Sequence, residues 1–350
     1  MYQVSISKPG CMEVMCTTNQ CMLEEKTMAE LKDGEEGSLY SWKPANYTEF
    51  WGKTLEEGIR GKLGAEEPDI PAAMEVKNLV MVLTLIMNIL IPQTHHMSAV
   101  QLSYTQSSLP TQFNSLVAWP GLISPVPDQG WCSSSWAVSA VGVAGDRTSI
   151  GQGRPVVLSS QALLACGKRG PAGCVGGHVY QAWDQLRRHG SWSSTCQADT
   201  TFSSCPSHCH MHRTQPAYRV GRGNTNNHQR WNEHDIMYEL MTQGPVQAVM
   251  EVYTDFFMYS SGVYRRTNLA SHTAVGYHAV RIVGWGQEGG ERYWRVANSW
   301  GSEWGEKGFF RIARGVNECL VEEFVLGVWP RKKRSPRKRN QRHRGRAANR

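Results

Sequence analysis

An α+β fold with two lobes is predicted for most of this 350-residue chain, and three observations predict it. From Leu109 to Trp329 the sequence turns dense in tryptophan and glycine. Within that stretch, helix-like spacing of apolar residues comes first and short strand-like runs follow. Helices followed by strands, rather than strict alternation, argue for segregated layers with a cleft between two lobes, where a binding site would lie.

Each element has its own warrant. Before the main region, Phe50, Leu55, Ile59 and Leu63 recur at helical spacing, and Gly64 is placed to stop that helix. Ser135 to about Ile150 reads as a helix whose buried face carries Trp136, Val138, Val141 and Val143. Ser159–Cys166 and Val179–His189 read as two more. After about Ala217 the signal changes to strands, at Val246–Val252, Ala279–Val283, Tyr293–Ala297, Phe309–Ala313 and Phe324–Val328. Glycines such as Gly284 and Gly286, around Trp285, punctuate them.

The net charge of +7 misleads, because residues 331–350 hold eight Arg, three Lys and no acid. The rest of the chain therefore sums to −4, which argues against reading the whole protein as a nucleic-acid binder. The tail lacks apolar residues to pack and is expected to be disordered. Residues 1–40 are polar, short of apolar periodicity and carry Cys11, Cys16 and Cys21, so they read as the remnant of a small cysteine-rich module. Ten cysteines in a loop-rich sequence point to an oxidising compartment, with buried free thiols as the bland alternative. Asn46-Tyr47-Thr48 is an N-glycosylation sequon, which marks Asn46 as a candidate site.

The opening residues lack a charged segment followed by an apolar run, as a secretory signal would have. The one apolar run is internal, Leu79 to Ile91, and Thr84 and Asn88 interrupt it. It is shorter than the ~20 residues a bilayer-spanning helix needs, so no stable membrane span is expected. Three readings of it stay open: a buried element, an inserted or mis-spliced segment, and an anchor. The expectation is a secreted protein with an incomplete or misassembled N-terminus.

The chemistry concentrates in three segments. Gln129-Gly130-Trp131-Cys132-Ser133-Ser134-Ser135-Trp136-Ala137 precedes and opens the first main helix. Tyr277-His278-Ala279-Val280 enters a strand, and Asn298-Ser299-Trp300-Gly301 follows one. Together they resemble the active-site segments of papain-type cysteine proteases. That family reads Q-G-x-C-G-S-C-W-A around its nucleophile, and His278 and Asn298 lie 143 and 163 residues beyond Ser135. The resemblance gives Ser135 the nucleophile position, His278 the base, Asn298 the orienting amide and Gln129 the oxyanion-hole donor, with Trp300 in support. It implies a papain-like fold with a helical left lobe and a β-barrel-like right lobe. A lone histidine before a strand is more often a core residue; the four residues in order are what make the signal specific.

Further resemblance narrows the branch to cathepsin B-like proteins, and within it to the tubulointerstitial nephritis antigen family. The segments Phe50–Arg60, Gly244–Val252, Arg314–Cys319 and Phe324–Trp329 carry it. It implies a pro-region-like segment over 41–108, with the apolar insert at 79–91, ahead of a peptidase C1 domain at 109–330 and the tail at 331–350. By position it pairs Cys132 with Cys174, Cys166 with Cys205 and Cys196 with Cys209, leaving Cys319 free. With Cys209 in a disulfide, the cluster His208, His210 and His212 keeps no strong ligand set, so no metal and no cofactor are expected. Two departures stand out: Ser133 replaces the family's glycine, and eight residues between Cys196 and Cys205 leave no room for a long occluding loop.

A thiol in such a site attacks as a preformed thiolate, whereas a serine hydroxyl stays protonated and needs base help during attack. Oxygen is also smaller than sulfur and falls short of the carbonyl. The leading expectation is therefore a secreted, catalytically inactive protease homologue that binds extracellular or matrix proteins and peptides, with the cleft as the binding groove. The lysosome is the alternative location. A weakly active peptidase working through Ser135 is the runner-up. A third reading gives Arg331, Lys332, Lys333, Arg334, Arg337, Lys338 and Arg339 a role in binding heparan sulfate-like polyanions, against a plain solvated tail or a processing site. Nucleic acid is not an expected partner.

Overall fold

The computed structural model describes residues 22–23, 25–36, 40–68, 109–165, 174–194, 217–220, 231–270 and 273–327. Outside them lie the apolar run 79–91, the basic tail, the His208–His212 cluster, and the pairings Cys166–Cys205 and Cys196–Cys209.

Helices and strands segregate into two lobes. The helical lobe is built on α4 (Ser135–Gln152), with α5 (Ser160–Ala165) and α6 (Val179–Arg188) packed against it. Trp136, Ala140, Val143, Ala144, Leu163, Ala182, Trp183 and Leu186 form its core. α4 is buried almost all round, as a helix at the centre of a large protein must be. Gly153, in the left-handed region at φ 65°, ends it.

The second lobe is one eight-stranded sheet. Its strands are β1 (Trp42–Pro44), β2 (Phe113–Asn114), β3 (Val246–Val252), β4 (Tyr259–Tyr264), β5 (Gly276–Glu288), β6 (Glu291–Ala297), β7 (Phe309–Ala313) and β8 (Phe324–Leu326). They run in the order β1-β4-β7-β6-β5-β3-β8, with β2 beside β5. All pairings are antiparallel except β4 with β7. The sheet is open, with β1 and β8 at its edges, rather than a closed barrel.

Sequence patterning misses several elements, including the short β2 and the one-turn helix α3 (Ser115–Ala118). α1 (Glu25–Glu36) lies in the stretch read as aperiodic, yet Met28 and Leu31, one turn apart, are buried with Met22 and Leu23 in the core of the strand-rich lobe. α7 (Glu233–Gln243) falls where only strands were expected. Its signal was legible: Asn232 caps it and Asp235 bonds back to the Asn232 N–H, a capping box, while Ile236 and Leu240 make the buried face. β1 and β4 are short and pair with each other across more than 200 residues of sequence, which no local pattern reveals. The helix expected at 41–64 is α2 (Leu55–Lys62), opened by a Thr54–Glu57 capping box, with Phe50 outside it in a 3₁₀ turn.

Buried polar bridges tie the lobes together. Gln247 on β3 accepts from Trp183 Nε1 at 2.6 Å and donates to Ser139 Oγ at 2.7 Å. Arg281 on β5 meets Asp146 on α4 at 2.7 Å, and both are buried. Each charge of the buried pair offsets the cost of burying the other, so removing one alone is strongly destabilising.

Candidate active site

Ser135 is the first residue of α4 and is fully buried. Ser134, the N-cap, makes no side-chain capping bond, so the helix's positive end is left open at Ser135. Cys132 is bonded to Cys174, which fixes the turn into the helix.

His278 stands near the start of β5, opposite Met250 of β3. The β5–β6 pairing, with Arg281 opposite Ala297, brings Asn298 beside it. His278 Nε2 lies 2.7 Å from Asn298 Oδ1. That oxygen also accepts the Ser299 N–H at 2.7 Å, which identifies it as the acceptor and makes Nε2 the protonated nitrogen of the ring. Nδ1 then carries the lone pair a general base needs, but it has no hydrogen-bond partner. Ser135 Oγ instead accepts the Ala279 N–H at 3.2 Å. The serine and the histidine are adjacent, and the bond between them is not made.

Burial pushes the His278 pKa down to about 4, and the charge of Lys62 adds to the shift while the bond to Asn298 opposes it. The imidazole is therefore neutral at pH 7. Trp300 covers it with ring centroids 5.0 Å apart and stacks on Phe257 at 5.4 Å.

Gln129 is held by Ser299, whose O accepts the Gln129 N–H at 2.8 Å and whose Oγ donates to Gln129 Oε1. Its Nε2, the group expected to face an oxyanion, donates to the carbonyls of Cys132 at 2.8 Å and of Lys62 and Leu63 at 3.1 Å each.

The segment that follows α2 lies in the cleft. Ser133 Oγ donates to Arg60 O, and Trp300 Nε1 donates to Lys62 O at 2.8 Å. Ala65 bridges to Gly177 on one wall and Tyr277 on the other. Gly177 N–H donates to Gly64 O at 3.0 Å, and Glu66 Oε2 meets His178 Nε2 at 2.7 Å. Lys62, only 1% exposed, pairs with Glu49 at 2.6 Å and lies over the Trp131 ring. Gly64 has φ 131°, and a Cβ there would sit 2.3 Å from the Ser133 carbonyl carbon, so only glycine fits. Main-chain carbonyls thus take up the donors a substrate would meet.

Gln129, Ser135, His278, Asn298 and Trp300 come together in one place, as their spacing suggests. Ser133 and Lys62 belong to the same site and were not anticipated in that role; Ser133 had shown itself only as a departure from glycine. Cys319 is a free thiol buried far from these residues in sequence, and burial pushes its pKa up. Asn46 is exposed, and its Oδ1 accepts from Trp51 Nε1 at 2.6 Å. Among the described residues there is no cluster of metal-ligating side chains, and no helix is long and apolar enough to cross a membrane.

Comparison with known proteins agrees with this geometry. The sequence profile described as papain family cysteine protease matches residues 109–329. A human protein named tubulointerstitial nephritis antigen-like is 37% identical over 359 aligned positions, covering 90% of this chain and 69% of its own. Cathepsin B-like cysteine proteinase 4 of Caenorhabditis elegans is 32% identical over 274, covering 69% and 81%. Among solved structures, procathepsin B S9 from Trypanosoma congolense superposes with a TM-score of 0.67 at 30% identity, covering 88% of this chain and 99% of that one. With helical lobe, open sheet and active-site residues in these positions, the chain belongs to the papain family of cysteine proteases, among its tubulointerstitial nephritis antigen-like members.

Proposed function

We propose that this chain is a secreted, catalytically inactive protease homologue, with Ser135 in place of the family's nucleophilic cysteine, that acts by binding extracellular or matrix proteins. One observation carries the reading: Ser135 Oγ is engaged by the Ala279 N–H while the neutral, buried His278 presents an unpartnered Nδ1. A serine that is not bonded to its base has no route for its proton, and misplacement near 1 Å costs ~10²-fold in rate. The cleft is also filled. A partner peptide that uses the groove has to displace residues 60–66 first, so surfaces outside it are the more accessible ones. Incubation of the purified chain, freed of residues 41–108, with fluorogenic cathepsin substrates and a thiol-directed epoxide tests the proposal. No turnover and no labelling are expected, and robust turnover overturns it.

The basic tail supports a second role in the same compartment, retention on polyanions such as heparan sulfate through Arg331, Lys332, Lys333, Arg334, Arg337, Lys338 and Arg339.

A further inference from the structure

Charge is unevenly shared along the chain ahead of its basic tail. Residues 147–232 hold ten Arg and Lys against two Asp and no Glu, a sum of +8, within a stretch that sums to −4 up to residue 330. The described parts of that segment belong to the helical lobe: the end of α4, then α5, α6 and residues 217–220. One lobe is therefore basic and the remainder ahead of the tail is acidic.

Four of these arginines meet at the C-terminal end of α6, and all four are exposed. Arg187 and Arg188 close the helix and share one carboxylate, Asp184, at 2.5 and 2.8 Å. Gly190, at φ 81°, then lets the chain run so close to Tyr218 that a Cβ would sit 2.5 Å from its carbonyl oxygen. Ser191 and Tyr218 exchange main-chain hydrogen bonds at 2.9 and 2.7 Å. This approach lays Arg219 on the helix end, where its Nε donates to His189 O at 3.4 Å. Arg154, just past α4, reaches the same place and donates from Nη2 to the Tyr218 hydroxyl at 3.1 Å.

The helix dipole favours cations in the last turn of α6, which accounts for Arg187 and Arg188. It does not account for Arg154 and Arg219, which come from other segments and rest on an uncharged phenol and a main-chain carbonyl. Among the described residues, Asp184 is the one acid paired with any of the four, so three positive charges stay uncompensated. Guanidinium forks also suit oxyanions with two oxygens to offer, such as sulfate, better than a lysine point charge does.

We propose that this face of the helical lobe binds a sulfated polysaccharide of the heparan sulfate class, with Arg154, Arg187, Arg188 and Arg219 meeting successive sulfate and carboxylate groups along one chain. The choice of polyanion rests on the secreted reading above, because an extracellular protein meets sulfated glycans rather than nucleic acid. The site is separate in residues from the basic tail.

Arginine footprinting of the full chain tests it, with phenylglyoxal as the reagent, mass spectrometry as the readout and a heparin oligosaccharide as the probe. At near-physiological salt, heparin is expected to slow modification of Arg154, Arg188 and Arg219 about tenfold, and this protection fades as salt rises. Arg60 and Arg292, exposed outside this lobe, keep their rate. Hyaluronan, which carries carboxylates and no sulfate, protects none of them. Arg154→Glu combined with Arg219→Glu should abolish protection of Arg188 while the arginines of the tail stay protected. Protection confined to the tail, equal protection of Arg60 and Arg292, or equal protection by hyaluronan overturns the proposal, and so does a DNA duplex that protects the patch as well as heparin. The purified chain answers wherever the cell sends the protein, so a failure here leaves the secreted reading standing.

Discussion

Ser135 Oγ accepts the main-chain N–H of Ala279, the residue just past His278, and not a bond to the imidazole itself. The histidine has its Nε2 proton anchored on Asn298 and its lone pair in place at Nδ1, so its orientation is that of a general base. The base is set and the nucleophile is turned to the backbone. On the proposed reading, that one relationship separates a papain-like framework from papain-like chemistry.

Sulfur in place of oxygen should restore part of that chemistry, but only with the cleft open. Ser135→Cys alone is expected to label weakly with an epoxide probe, because residues 60–66 still hold Gln129 and Trp300. Limited proteolysis that removes residues 41–108 should raise labelling at least tenfold, followed by mass spectrometry. Strong labelling of the intact variant would show that the segment does not block the site.

The same segment depends on Gly64. Gly64→Val drives a side chain into the Ser133 backbone and should lift residues 60–66 out of the cleft. Lys62, nearly inaccessible in the native chain, then becomes a trypsin site. Appearance of cleavage after Lys62 at low protease, with global melting little changed, is the expected result.

Acid should destabilise the protein through His278. Its folded pKa of about 4 lies below the unfolded value of ~6.5, so the unfolded chain binds the extra proton first as pH falls. Stability is therefore full above about pH 6.5 and is lost progressively down to about pH 4, by an amount on the order of 3 kcal/mol. Urea denaturation at pH 7.5 and pH 4.5 measures it, and His278→Gln should flatten this part of the profile.

Replacing Cys132 and Cys174 together by serine should cost about 4 kcal/mol, from the loop of 42 residues they close. The denaturant midpoint reports it, and the loss should be greater than for Cys319→Ser, which breaks no bridge.

Much of this was legible in the sequence because it depends on local pattern and on residue identity. α4 announces itself through its apolar spacing, and β5, β6 and β7 through short strand-like runs punctuated by glycine. Gln129, His278 and Asn298 are visible because their chemistry needs those side chains at those intervals. The occupant of the cleft was not legible. It binds through the carbonyls of Gly61, Lys62 and Leu63, which every residue type possesses, and only Gly64 betrays the close approach. α1 was missed because two buried residues, Met28 and Leu31, suffice to seat it on a core built from distant strands. The polar ends of α7 hid a capping box whose pattern was on the page.

The most direct test compares the chain freed of residues 41–108 with its Ser135→Cys counterpart on one fluorogenic dipeptidyl substrate. With the cleft open in both, the account predicts no detectable hydrolysis by the natural chain and thiol-dependent hydrolysis by the variant. Hydrolysis by the natural chain, abolished by Ser135→Ala, would contradict it.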